Sequence, residues 1–307
     1  MIQKVSRRNF FKTSLQAGLA VGGFSALENF SRAIEPIKRP GQSRFLLSVA
    51  AYSFRDSFKA KDPAKQMDLF QFIDFCADHG CDGAELTAYY FPEKPSEEFL
   101  IKVRRHAFLR GIAISGSAVG NNFALPNGEK RDEQIRYVKK WIDYAAVLGA
   151  PHIRVFAGAA KGISDADARK MCMSAMEECC DYAGTKGIFL GLENHGGIVA
   201  QPEGLLEIVQ AVKSPWLGIN LDTGNFHTDD PYADLVKIAP YAVNVQLKVN
   251  MHPTGKKEPV PADFERLFKI LRDANYQGYV ALEHEAKEDP REKIPGYLDR
   301  MKKLMRG

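Results

Sequence analysis

Four apolar runs decide the fold: Ile188-Phe189-Leu190-Gly191-Leu192-Glu193, Leu217-Gly218-Ile219-Asn220-Leu221-Asp222, Tyr241-Ala242-Val243-Asn244-Val245-Gln246 and Tyr279-Val280-Ala281-Leu282-Glu283. Each is short enough to be a buried strand, and each ends in an oxygen-bearing side chain. A carboxylate at the end of a buried strand needs a partner, because desolvating an ionised group is costly and several converging ones repel. A divalent cation shared by the strand ends removes both difficulties. The pattern predicts a parallel sheet with such a cation at one end.

Working outward, the same alternation extends over the rest of the chain beyond residue 44. The runs at 45–53, 82–87, 112–119, 152–157, 188–194, 217–222, 241–248 and 279–285 read as strands. Longer amphipathic stretches at 66–79, 97–110, 131–148, 165–186, 202–212, 232–238, 262–274 and 290–305 read as helices. Pro202 and Pro290 suit first-turn positions, and Gly80, Gly111, Gly149 and Gly187 suit helix C-terminal caps. Eight β-α units in sequence predict a single (β/α)8 TIM barrel over residues 45–307. A doubly wound open sheet is the competing arrangement. It calls for a glycine-rich phosphate turn after its first strand, and Tyr52-Ser53-Phe54-Arg55-Asp56 has none.

Composition supports an ordinary globular body. Of 307 residues, 45% are hydrophobic and 26% charged, which is enough for a full core. The formal charge of +4 comes from the N-terminus. Residues 1–40 hold seven of the 42 basic residues and two of the 38 acidic ones, leaving 35 basic against 36 acidic beyond. A near-neutral body gives no footprint for nucleic acid. The five cysteines form no metal-type C-x-x-C pair and read as buried free thiols.

In a barrel, chemistry collects at the C-terminal ends of the strands. Glu193, Asp222, Gln246 and Glu283 end strands five to eight, so the four can converge on one ion. An all-oxygen set favours Mn²⁺ or Mg²⁺, with Co²⁺ or Zn²⁺ also compatible. Tyr52, Glu85, Arg154, His195 and Lys248 lie at or near other strand ends and are candidates to bind substrate. Arg154 could instead pair with Glu85 beneath the site. His227 follows the Asp222 turn, and His252 sits in the long loop 249–261, which reads as solvated and able to fold over the pocket.

Gly191-Leu192-Glu193-Asn194, Leu221-Asp222-Thr223-Gly224-Asn225, Val245-Gln246-Leu247-Lys248 and Leu282-Glu283 carry a resemblance over about residues 45–305. The chain resembles the xylose-isomerase-like barrels of the sugar phosphate isomerase/epimerase group. The resemblance implies that Glu193 and Glu283 bind a metal and move protons, and that Asp222 is a ligand. Gln246 stands where such proteins usually carry His, and Asn225 where epimerases often carry a substrate-contacting His. The implied reaction is isomerisation or epimerisation of a sugar or keto-sugar through a metal-stabilised enediolate. A lyase that opens 3-keto-glycosides by the same proton abstraction is the main alternative, and a non-catalytic sugar binder is another. A DNA-repair endonuclease of related fold would need His ligands that Asn225 and Gln246 replace. The implied partner is a small carbohydrate, with homodimerisation an option.

The N-terminal Ser6-Arg7-Arg8-Asn9-Phe10-Phe11-Lys12 resembles a twin-arginine export signal. The weakly apolar, glycine-rich stretch 15–26 that follows is too short to span a membrane. Residues 1–40 are therefore expected to be signal and linker, with Ala33 a candidate end, and the protein to be exported, as to a periplasm.

Overall fold

The computed structural model describes residues 35–159 and 161–306. Strands β1 (Arg44–Ala50), β2 (Gly83–Thr87), β3 (Ala113–Ala118), β4 (His152–Val155), β5 (Phe189–Glu193), β6 (Leu217–Asp222), β7 (Ala242–Lys248) and β8 (Gln277–Glu283) close into one barrel in chain order. Every pairing is parallel, and β8 returns to β1. Helices α1 (Leu69–Asp78), α2 (Glu97–Leu109), α3 (Glu129–Leu148), α4 (Asp165–Lys186), α5 (Pro202–Ala211), α6 (Pro231–Ile238), α7 (Phe264–Asp273) and α8 (Pro290–Arg306) follow the strands one by one. The expected (β/α)8 architecture is the observed one.

Local chemistry sets these elements. Asp68 caps α1 by accepting from the Gln71 N–H at 2.8 Å, while Gln71 reaches back to the Asp68 N–H. Helices α3 and α4 end on Gly149 and Gly187 in the left-handed region, at φ 75° and 70°. Strand β1 stops at Ala50, three residues before the end expected for it. Residues 51–54 tighten into a 3-10 turn instead, so Tyr52 sits on the rim rather than on a strand.

The apolar core lies between barrel and helices, not inside the barrel. Leu190, Leu192, Ile219, Leu221, Val245, Leu247, Val280 and Leu282 are all buried. Alternation turns the other residues of these strands inward. Those include glycine, alanine and the polar Asn220, Asn244 and Gln246, and with Ser48, Glu85 and Ser115 of β1–β3 these polar residues are fully or almost fully buried. This polar interior is why the strand runs look apolar yet carry regularly spaced polar residues.

Residues 37–42 fasten the chain to the barrel's N-terminal end. Ile37 N–H donates to the Pro240 carbonyl, the Arg39 guanidinium to the Ala242 carbonyl at 2.6 Å, and Asn275 to the Arg39 carbonyl. The segment expected to be linker through residue 40 is thus part of the body from Ile37. The Ser6–Lys12 motif and the 15–26 stretch lie outside the described residues. Among the described residues, no helix is long and apolar enough to cross a membrane.

Candidate active site

Strand register sets the levels of the site. Asp222 pairs with Gln246, and Glu283 with Lys248. Because Asn244, Gln246 and Lys248 share one face of β7, they form three successive inward layers. Gln246 therefore lies deeper along β7 than Lys248, the residue paired with Glu283.

The lower layers are closed by amides. Glu85 accepts from Gln246 Nε2 at 2.6 Å and from Asn244 Nδ2 at 2.7 Å. Asn244 Nδ2 also donates to Asn220 Oδ1 at 2.8 Å, and Asn220 Nδ2 donates to Gln246 Oε1 at 2.7 Å. The amide of Gln246 thus has one orientation, its nitrogen on Glu85 and its oxygen on Asn220. Glu85 has no exposed surface, and His152 lies on its far side at 3.8 Å. It forms the floor of the barrel's interior and does not reach the mouth.

The upper layer is held by cations. Arg154 Nε stands 2.8 Å from Glu193 Oε2, and its Nη1 donates to the Val119 carbonyl. The pairing with Glu85 that the sequence allowed is not formed. Asn225 Nδ2 donates to Glu193 Oε1 at 2.8 Å. Lys248 Nζ sits among three carboxylates: Asp222 at 3.4 Å, Glu283 at 3.3 Å and Glu285 at 2.5 Å. The stem of Lys248 passes over Gly224, where any Cβ would stand 2.7 Å from Lys248 Cγ. That close approach explains the glycine of the Asp222-Thr223-Gly224 turn.

Burial dominates the electrostatics here. It pushes Glu193, Asp222 and Glu283 each up to about 7, against the pull of Arg154 on Glu193 and of Lys248 on the other two. Burial would lower the Lys248 ammonium, but Asp222, Glu283 and Glu285 together outweigh it and hold the amine well above its usual range. Glu193 Oε2 and Asp222 Oδ2 are buried and have no hydrogen-bond donor of good geometry. His195 packs against Phe156 with ring centroids 4.4 Å apart and planes tilted by 46°, and the Arg154 guanidinium lies 4.0 Å over the same ring. Tyr52 lies under the Arg55 guanidinium on the rim. His284 turns away from the mouth and packs against Tyr297, as alternation from Glu283 requires.

A cavity of about 630 Å³ opens above this layer, lined by Asn225, Lys248, Glu283 and Glu285 and by the loops after β6, β7 and β8. The loop after β7 is not a free loop. Asn250–Met251 pairs antiparallel with Val260–Pro261, and Thr254 bonds to Thr228 and to the His227 carbonyl. Glu285, Asn220 and Asn244 escaped the sequence reading. Each lies two residues from a chosen position, Asn220 and Asn244 on the same strand face and Glu285 just past the end of β8, and that spacing was the signal that could have found them.

The donor set can be tested for a hard divalent cation. Buried Glu193, Asp222 and Glu283 outnumber the cations Arg154 and Lys248 beside them, and Glu193 Oε2 and Asp222 Oδ2 have no hydrogen-bond donor of good geometry. Carboxylate oxygens are the donor type a hard cation takes. The Lys248 ammonium contends with it for Asp222 and Glu283, and Gln246 Oε1 is engaged by Asn220. Among the described residues, no three His, Cys, Asp or Glu side chains gather closely enough to hold an ion between them.

The family model of the xylose isomerase-like TIM barrel matches residues 73–304. The chain belongs to that family. It is 25% identical over 240 residues to a Homo sapiens protein named for hydroxypyruvate isomerase, covering 68% of this chain and 82% of that one. Among solved structures, a D-psicose 3-epimerase superposes with TM-score 0.69 at 17% identity, covering 85% of this chain and all of the other. A 3-keto-D-glucoside 4-epimerase from E. coli superposes with TM-score 0.63 at 16% identity, covering 86% of this chain and all of the other. At these identities the structural likeness speaks for the fold.

Proposed function

We propose that the protein is a sugar isomerase or epimerase that moves a proton next to a carbonyl. The observation carrying this reading is the pair Glu193 and Glu283, held on β5 and β8 with Lys248 near the centre of the mouth. A carboxyl group with a pKa near 7 is suited to taking and returning a proton at neutral pH. Glu283, on the open cavity, is the better placed to remove the carbon-bound proton. Glu193, braced by Arg154 and Asn225, is the better placed to return one. Lys248 can donate to the oxygen on which enediolate charge develops. Family membership and the named isomerase and epimerase relatives support the same class.

The reading includes a divalent metal, with Mn²⁺ or Mg²⁺ favoured, on Glu193, Asp222 and Glu283. When bound, such an ion would stabilise negative charge on neighbouring substrate oxygens. Gln246 would contribute by its amide oxygen, whose second lone pair is left by the bond from Asn220. Export through the twin-arginine route is part of the proposal and rests on the Ser6–Lys12 motif.

One observation favours a second reading, β-elimination from a 3-keto-glycoside. The cavity continues past the carboxylates to Glu258 and Glu288, leaving space for a group beyond the reacting ring. In that case the C–H electrons form the new double bond as the glycosidic C–O bond breaks. The departing oxygen takes up a proton. The test is solvent deuterium incorporation into keto-sugars and 3-keto-glycosides, with product analysis. Exchange with epimerised or isomerised product supports the first reading, and a released aglycone supports the second.

A further inference from the structure

The cavity is larger than the reacting carbon needs. At about 630 Å³ it lies mid-range for sites that enclose drug-sized ligands. Its inner end is the Lys248–Glu283 layer, and its outer wall comes from the loops after β6 and β7. Each of those loops supplies a histidine. The rings of His227 and His252 face one another with centroids 5.1 Å apart and planes at 32°. Both line the cavity, and both are exposed.

The pair is held firmly. Thr254 Oγ1 donates to the His227 carbonyl at 3.0 Å, and Thr254 N–H donates to the Thr228 carbonyl at 2.9 Å. The antiparallel pairing of Asn250–Met251 with Val260–Pro261 anchors both ends of the His252 loop. Neither imidazole ring is hydrogen-bonded to another described residue, so their nitrogens remain available to a ligand.

Charge narrows what the ligand is. Glu258, Glu283, Glu285 and Glu288 line the cavity against Lys248 and Lys287, and Lys248 is already held by three carboxylates. A phosphate brought here would meet more negative charge than positive. A neutral, hydroxyl-rich group would meet two imidazoles, Asn225 and Asn250, all able to donate or accept.

We infer that His227 and His252 form a subsite for an uncharged second ring, so that the substrate is an unphosphorylated glycoside of at least two units. This deepens the reading above and rests on it for the position of the reacting ring. The edges of the paired imidazoles border the second ring, and their nitrogens bond its hydroxyls. These two residues set specificity and take no part in the proton transfer.

The test is calorimetric binding of glucose, cellobiose, maltose and glucose 6-phosphate to the full chain, wild type and variants. The expected result is that one disaccharide binds at least about tenfold tighter than glucose, and that glucose 6-phosphate binds no tighter than glucose. His252→Ala should remove the disaccharide's advantage and leave glucose affinity unchanged, and His252→Gln should restore part of it. His227→Ala, in the facing loop, should act in the same direction, and unchanged melting temperatures would exclude loop collapse. Equal affinity for glucose and both disaccharides would overturn the subsite, as would an advantage that survives both alanine variants or a preference for glucose 6-phosphate. Solvent exchange separates this from the functional reading. Exchange on a monosaccharide with no disaccharide preference sinks the subsite alone, whereas a histidine-dependent preference without exchange sinks the isomerase reading alone.

Discussion

Two layers of one barrel, a few ångströms apart, treat their carboxylates in opposite ways. In the floor, each oxygen of Glu85 is met by an amide donor, at 2.6 and 2.7 Å. In the mouth, Glu193 Oε2 and Asp222 Oδ2 lack a donor of good geometry, and burial pushes three acids up to about 7. The floor is a polar network in which both Glu85 oxygens are met, with Asn244 Oδ1 and His152 Nε2 left over, and it fixes its side chains. The mouth is left unsatisfied and can take up a proton, a cation or a substrate oxygen. The same residue types serve structure in one layer and, in the function proposed, chemistry in the next.

The comparison can be broken first from below. Glu85→Ala would leave Gln246 Nε2 and Asn244 Nδ2 without their acceptor inside a closed barrel. Urea denaturation should show a loss of about 3 kcal/mol. A loss under half of that would mean the floor is wet or able to rearrange, and the contrast between layers would fade.

The mouth should respond to pH. Glu193 and Glu283 normally titrate near 4.5 and Asp222 near 3.8, and all are raised to about 7. Between about pH 4 and pH 7 the folded state therefore holds protons that the unfolded state has lost. Stability should fall as pH rises through that window and level off on either side. For chelator-treated protein the fall should be on the order of 2 kcal/mol for each such group between pH 5 and pH 7.5, read from melting curves. Added Mn²⁺ should flatten it. A rise over the same window would contradict the electrostatics described for the mouth.

Lys248 sharpens the contrast, because it is the mouth's internal substitute for an external cation. Lys248→Met keeps the stem over Gly224 and removes the charge. Divalent-metal affinity, measured by titration calorimetry, should rise about tenfold, roughly 1.4 kcal/mol. Weaker metal binding in this variant would mean that the amine supports the ion rather than contending with it.

The barrel was legible in the sequence because eight buried strands and eight amphipathic helices alternate with clear capping signals. Gly187 ends α4 where its capping role was expected. The end of β1 was not legible. Val49, Ala50 and Ala51 are equally apolar, and the turn into a 3-10 segment has no residue signal. At the site, sequence could name the strand ends but not their heights. Strand stagger sets those, and it puts Lys248 rather than Gln246 level with Glu283. Nor could it tell that the Arg154 guanidinium reaches Glu193 rather than Glu85, since all three are inward-facing strand residues and only their levels separate them.

The most direct test of the account is proton exchange at the mouth. Wild-type protein supplied with Mn²⁺ should incorporate solvent deuterium next to the carbonyl of a keto-sugar or 3-keto-glycoside. Glu283→Gln should reduce the rate by about 10²–10⁴-fold with the fold intact. Glu193→Gln should block turnover to product to a similar degree while retaining more of the exchange. Exchange at wild-type rates in both variants would contradict the assignment of these two glutamates as the groups that move the proton.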